Sequence, residues 1–134
     1  MPLKWNDLDL QANYVEQLFK VVDRDRASTL VWYLRDLEIV GNGLRGLSVP
    51  DLESQVDNTP DGFRLTWEEL VKLMGDAADI HDLIATAHPT EVTMDLPSLE
   101  TSGYSGCAVV IEIFDSGTYK VGGAAELVHG PSTA

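Results

Sequence analysis

A long apolar run near the carboxyl end of the sequence restricts the possible fold more than any other feature. Residues 107–114 read CAVVIEIF, a composition rich in the β-branched and aromatic side chains that favour strands. Residues 115–118 have turn chemistry, and residues 119–121 form a returning strand. Because nearly every side chain in the run is apolar, we expect a central strand covered by helices. The sequence therefore predicts an α+β fold, in which helices pack on a small, mainly antiparallel sheet with a C-terminal hairpin.

Two residues of this run carry reactive groups. Glu112 has two interpretations: a solvent-facing position on the pleated strand, which we favour, or a buried carboxylate with a perturbed pKa. Cys107 has no histidine beside it in the sequence and no helix N-terminus to lower its pKa. We therefore interpret Cys107 as a buried structural cysteine rather than a nucleophile.

The clearest helix signal begins at Thr66. Residues 66–69 read TWEE, a capping box in which the Thr66 side chain accepts a hydrogen bond from the Glu69 amide while Glu69 reaches back. Apolar residues then recur at three- and four-residue steps up to about Ala87, which is amphipathic helical periodicity. Pro89 would end such a helix. The pattern predicts one long helix from Thr66 to about Ala87.

The two faces of this predicted helix differ in character. His81 falls on the apolar face and is interpreted as a core or boundary histidine. On the polar face the acids form a negative stripe, which only Lys72 interrupts. We predict that this stripe binds a partner through Glu68, Asp76, Asp79 and Asp82.

The remaining elements are less clearly marked. A helix is predicted from Asn6 or Asp7 to about Val22, followed by an exposed connector. Residues 28–40 fit a helix or a strand, and we favour a short helix followed by a strand near residues 37–40.

Three further segments are predicted from their loop-forming residues. We expect an acidic loop over residues 50–62, one strand at residues 91–94 and a loose tail after Val128. No linker divides the sequence, so residues 1–134 are expected to form a single domain.

The charge of the sequence is strongly negative. Nine Lys and Arg residues face 22 Asp and Glu residues, a formal net charge of −13, and from residue 51 onward 15 acids face three bases. Such a field repels nucleic acid and anionic membranes and attracts a basic protein surface. The alternative interpretation is that the acidic residues serve solubility alone. We predict a basic protein partner and no direct contact with nucleic acid or membrane.

The motifs that could support catalysis are incomplete. The dipeptide His81-Asp82 occurs in HD metal phosphohydrolases, but helical geometry would separate His81 from the nearby aspartates. The GxGxxG spacing at residues 41–46 lacks the strand–helix unit that binds dinucleotides. We therefore expect a binding protein with no catalytic residue, metal or cofactor. A small metal-dependent hydrolase around His81 and a structural or assembly subunit stay as alternatives.

The cysteine content and hydropathy favour a soluble cytoplasmic protein. A single cysteine excludes an intramolecular disulfide. Proteins of a reducing compartment usually lack disulfides, so this composition fits the cytoplasm. The first residues contain no apolar signal region, and no apolar run approaches the length of a membrane span.

Two segments resemble those of a known group of proteins. LTWEEL at residues 65–70, opening a helix, and VVIEIFDS at residues 109–116, with a tyrosine in the returning strand, look like segments of small bacterial proteins. Some members of that group are immunity proteins of polymorphic toxin systems. The Gly-rich middle and the long connection at residues 88–106 depart from their pattern. The resemblance implies a cytoplasmic inhibitor that masks a toxin's active site with acidic residues, and it implies no catalytic residue.

Overall fold

The computed structural model places six strands in one antiparallel sheet and describes residues 3–8, 13–115, 117–124 and 127–128. The strands are β1 (Lys4–Asp7), β2 (Val31–Val40), β3 (Phe63–Leu65), β4 (Asp79–His88), β5 (Val109–Phe114) and β6 (Thr118–Gly123). The helices are α1 (Tyr14–Val21), α2 (Arg24–Ala27), α3 (Val49–Asp57), α4 (Trp67–Asp76) and α5 (Leu96–Thr101). The strand order is β1-β6-β5-β4-β2-β3.

The predicted α+β class and the C-terminal hairpin are confirmed. β5 and β6 pair from Val109 opposite Gly123 to Phe114 opposite Thr118. β5 also pairs with β4, so it has a hydrogen-bonded neighbour on each side. Its side chains from Val109 to Ile113 are buried on both faces of the sheet, as the apolar run predicts.

The main core lies between one face of the sheet and the helices. Leu18 and Val21 of α1 and Leu70 and Met74 of α4 are almost completely buried against this face. Their spacing places them on one side of each helix. A second, smaller apolar cluster lies apart from this core and consists of Leu99, Tyr104, Cys107 and Val110.

The capping box at Thr66 is confirmed, but the long helix is not. The Glu69 amide donates to the Thr66 hydroxyl (3.1 Å), and the Thr66 amide donates to the Glu69 carboxylate (2.9 Å). The helix ends at Asp76, and the chain continues into β4. β4 lies in the middle of the sheet with residues 83–88 buried. A strand buried on both faces does not alternate, so its apolar residues resemble those of a buried helix.

Five other predicted segments differ from the structure. The short helix predicted within residues 28–40 is not formed, because β2 extends over Val31–Val40. The predicted acidic loop contains α3, which Ser48 caps and in which Pro50 occupies the first turn, where its missing N–H costs no bond. Residues 91–94 form no strand, and β1 replaces the start of the predicted first helix. Part of the connector at residues 23–26 is helix α2. The tail after Val128 lies outside the described residues.

Carboxylates protect the part of β2 that β3 does not cover. β3 pairs with residues 32–34 only, so the rest of that strand edge would leave backbone N–H groups without partners. The Leu37 amide donates to the Asp36 carboxylate (3.0 Å), and the Ile39 amide donates to Glu53 of α3 (3.0 Å). These side chains thus satisfy two amides of the uncovered edge.

The first prediction concerns the capping box. Thr66→Ala removes the acceptor of the Glu69 amide, and we expect the free energy of unfolding to fall by about 1 kcal/mol in urea denaturation. Thr66→Ser is the matched control, because it keeps the hydroxyl and should retain most of the stability. Equal losses in both variants would contradict the importance of the cap.

Candidate functional site

Polar side chains gather on the face of the sheet opposite the main core, which we call the second face. Register partners in neighbouring strands project from the same face. Across β2, β4 and β5 the relevant pairs are Glu38 with Asp82, Asp36 with Ile84, and Ile84 with Glu112. The smaller apolar cluster around Leu99 and Tyr104 packs on Val110 of this face. The second face therefore has a covered part near Val110 and a part where carboxylates lie.

Four carboxylates around β2, β4 and the end of α3 form what we call the acidic cluster: Asp36, Glu38, Asp57 and Asp82. Glu38 and Asp57 are exposed, and the other two are partly buried. Burial raises the pKa of Asp36, and the negative charges of Asp82 and Asp57 raise it further. All nine Lys and Arg residues lie in the described ranges, and none of them forms an ion pair with the cluster there.

The structure separates the four residues that the sequence predicts to bind a partner. Glu68 is exposed in the first turn of α4, and Asp76 at the end of this helix pairs with Lys72 (2.8 Å). Asp79 and Asp82 lie on β4. The prediction of one acidic helix face is therefore wrong, and of the four residues only Asp82 belongs to the acidic cluster.

Sequence reasoning missed the other members of the cluster. Asp36 and Glu38 alternate with the buried Leu37 and Ile39, a period of two that is typical of a strand. The prediction placed a short helix before a strand near residues 37–40, so Asp36 fell outside the strand and the alternation was missed. No comparable sequence signal exists for Asp57, because only the packing of α3 against β2 brings it near Asp36.

His81 lies at the surface and not in the core, so its predicted position is wrong. Asp82 pairs with Glu38 and Ile80 pairs with Ile39, so His81 is the extra residue of a register shift between β4 and β2. Its imidazole Nε2 lies 3.4 Å from Asp79 Oδ2, and its side chain is 51% exposed. Within the described ranges, no three His, Cys, Asp or Glu side chains are arranged to hold a metal ion. The geometry around His81 thus provides a single acid–imidazole contact.

A directional chain of hydrogen bonds is buried under the covered part of the second face. Arg35 Nε donates to the Thr86 hydroxyl (3.1 Å), which lies 3.0 Å from His88 Nε2. His88 Nδ1 lies 3.3 Å from the Gly106 carbonyl oxygen. Because a carbonyl only accepts, Nδ1 carries the proton and Nε2 accepts from Thr86. Burial lowers the pKa of His88, and the charge of Arg35 lowers it further, so the ring is neutral.

Arg35 brings a buried positive charge into this acidic protein. Its Nη1 donates to the carbonyls of Asp61 (2.8 Å) and Met94, and its guanidinium lies 4.9 Å from the Tyr33 ring centre. Nη2 has no hydrogen-bond partner among the described residues. Burial lowers the pKa of Arg35. Gly62 makes room for the guanidinium, since a Cβ there would lie 2.8 Å from Nη1. Arg35 therefore ties two loops to the sheet.

Glu112 is buried, so the favoured solvent-facing interpretation is wrong, and the burial that the alternative expected is confirmed. Its carboxylate accepts from the Tyr104 hydroxyl (2.9 Å) and lies 3.8 Å from Lys120 Nζ. The same ammonium lies 5.1 Å from the Trp5 ring centre. Gly122 permits this arrangement, because a Cβ there would lie 2.6 Å from the indole. Glu112 is thus held in a structural contact between β5, β6 and residues 96–107, the covering segment that packs on Val110.

Cys107 is buried and free, in agreement with the sequence interpretation. Burial raises its pKa to about 11, an effect that the charge of Arg35 opposes. The sulfur is therefore a thiol at neutral pH, and a thiol is a poor nucleophile.

Comparison with known proteins found no match to a family model, a curated protein or a solved structure. In the described ranges, every helix is too short or too polar to cross a bilayer.

The second prediction tests the neutral hydrogen-bond chain. At about pH 7.5, His88→Gln should reduce the free energy of unfolding by about 1–2 kcal/mol, because it disrupts two buried hydrogen bonds. A histidine whose pKa is lowered by folding stabilises the protein fully above its unfolded pKa, and this stabilisation is lost as the pH falls below it. Wild type should therefore lose more stability than His88→Gln between about pH 7.5 and about pH 5.5 in urea denaturation.

The matched control is His81→Gln, which changes an exposed histidine on the same strand. Its stability at neutral pH should stay close to that of wild type. An unchanged pH dependence in His88→Gln would refute the neutral state of His88.

Proposed function

We propose that this chain is a stoichiometric binding protein, of the immunity or inhibitor type, that receives a basic partner protein on the acidic cluster. One observation carries the proposal: Glu38 lies directly opposite Asp82 in the β2–β4 register. Like charges directly opposite each other on neighbouring strands destabilise a sheet. No Lys or Arg within the described ranges pairs with either carboxylate.

A basic partner would relieve this repulsion. A lysine or arginine side chain placed between Glu38 and Asp82 would replace the repulsion between the two carboxylates by an attraction to each of them. Because the partner also excludes water, the attraction would exceed that of an exposed ion pair. The isolated protein thus carries a cost that disappears in the complex, as expected for a recognition surface.

An apolar side chain adjoins the acidic cluster. Val40 lies two positions after Glu38 on β2, and it is 57% exposed. Alternation along the strand places both side chains on the second face. An interface centred here would combine apolar contact with surrounding charges. The net charge of −13 would speed the encounter with a basic protein.

The inhibitor assignment and the cytoplasmic location are parts of the same proposal. Two sequence segments resemble immunity proteins, whose basic targets are masked by acidic residues. The one cysteine, Cys107, is a buried free thiol, which suits a reducing compartment. A nuclease-like toxin is the kind of basic partner that these features favour.

The third prediction tests the repulsion itself. Glu38→Gln should raise the free energy of unfolding by about 0.5 kcal/mol at low salt. The same change in an Asp82→Asn background should give no gain, because the opposing charge is gone. Urea denaturation of the four proteins measures the coupling. An equal gain in both backgrounds would mean that the two carboxylates do not interact.

The fourth prediction tests the function. A photo-cross-linking amino acid at position 38, introduced in cells that produce the protein, should yield one main adduct, whose cross-linked peptide is rich in Lys and Arg. The control places the same group at position 100 on the exposed side of α5 and should not yield this adduct. The purified partner should lose its activity at a ratio of one to one, and Glu38→Lys should slow association at low salt. Identical adducts at both positions, or no dependence on Glu38, would overturn the proposal.

A further inference from the structure

The covering segment, residues 96–107, packs on the sheet as a layer of its own. Its apolar side chains Leu99, Tyr104 and Cys107 form the second apolar cluster with Val110 of β5, and this cluster shares no residue with the main core. The cluster buries far less apolar surface than the main core does. Local opening of this layer therefore costs less free energy than global unfolding.

The backbone of the covering segment is strained at Tyr104. This residue has a φ of 60°, in the left-handed region that residues with a bulky side chain rarely adopt. Its hydroxyl donates to the Glu112 carboxylate on the sheet (2.9 Å), and this bond helps to hold the residue there. Opening of the segment would release the strain, which lowers the free energy that opening costs.

The hydrogen bonds that attach this layer to the sheet meet at His88. Its Nδ1 donates to the Gly106 carbonyl of the covering segment. Arg35 holds the stretch just before the segment, since its Nη1 donates to the Met94 carbonyl. Arg35 Nε donates to the Thr86 hydroxyl, which in turn donates to His88 Nε2. One chain of hydrogen bonds thus connects both parts of the attachment to the imidazole.

The surroundings of His88 offer no negative charge to a protonated ring. Arg35 lies on the same face of the sheet, and its positive charge acts on the ring. The other titratable groups around these two residues are Tyr33 on β2, Cys107 of the covering segment, and Asp61 and Asp95, the two carboxylates that act on Arg35. In the part of the chain that the structure describes, no carboxylate bonds to either nitrogen of His88.

Protonation of His88 reverses one bond of this chain. Nε2 would become a donor, so that His88 and Arg35 would both donate to the Thr86 hydroxyl, whose own proton would lose its acceptor. Two positive charges would then share one buried hydroxyl group. Separation of the covering segment from the sheet would admit water to both charges and remove this conflict.

We propose that protonation of His88 releases the covering segment from the sheet while the main core stays folded. Release would uncover Val110 and also Arg35, which directly precedes Asp36 of the acidic cluster. In acid the second face would thus present a positive charge next to this cluster. The opening follows from the attachment of the covering layer and does not rest on the function proposed above.

The fifth prediction uses Cys107, the one cysteine of the chain, as a reporter of opening. A pyridyl disulfide reagent reaches the buried thiol when the segment opens, and an unstructured peptide with the same local sequence gives the intrinsic labelling rate at each pH. The opening constant should rise about tenfold from about pH 7.5 to about pH 5.5, because the open state binds one proton more than the closed state. Its dependence on urea should stay below about a quarter of that of global unfolding.

Three variants separate the effect of the histidine from that of the attachment. In His88→Gln the opening constant should exceed that of wild type at neutral pH and change less than about twofold over the same pH range. His81→Gln, which alters an exposed histidine of the same strand, should match wild type. Tyr104→Phe removes the bond to Glu112 but keeps His88, so it should raise the opening constant by the same factor at both pH values.

The urea dependence in wild type tests the proposal without any variant. Labelling of Cys107 with the full urea dependence of global unfolding would mean that the covering segment does not open separately. A pH effect of about tenfold that persists in His88→Gln would mean that another group takes up the proton. Either result would overturn the proposal.

Discussion

The pairing of β4 with β2 on one side and with β5 on the other holds the structure together. β2 and β4 are the two ten-residue strands of the sheet, and β4 joins β2 to the C-terminal hairpin. Each face of β4 then supports a different layer. Leu83, Ala85 and Ala87 belong to the main core, whereas Thr86 and His88 hold the buried hydrogen-bond chain. Both the helices and the covering segment depend on this strand.

The burial of β4 also explains which parts of the fold could be predicted from the sequence. The capping box at Thr66 and the hairpin after residue 107 are local patterns, and both are present in the structure. Burial of β4 on both faces makes its apolar residues continuous, so the end of α4 cannot be read from periodicity. The wrong charge stripe and the wrong position of His81 both follow from this ambiguity, and the missed alternation at Asp36 and Glu38 follows from a similar one in β2.

The acidic cluster is only partly visible in the sequence. The excess of acids was clear from composition, but the pair Glu38–Asp82 depends on the register of two strands that are distant in sequence.

The lengths of the strands have a consequence for the behaviour of the protein at high concentration. The sheet is longest in β2 and β4, at ten residues each, and it is bounded by its two shortest strands, β1 with four residues and β3 with three. The uncovered length of β2 is closed by α3 and the carboxylates of Asp36 and Glu53. Short and charged borders give a neighbouring molecule few backbone groups to continue the sheet. The architecture therefore opposes the growth of fibrillar aggregates, even though the interior of the sheet contains the largely apolar β5 and the buried half of β4.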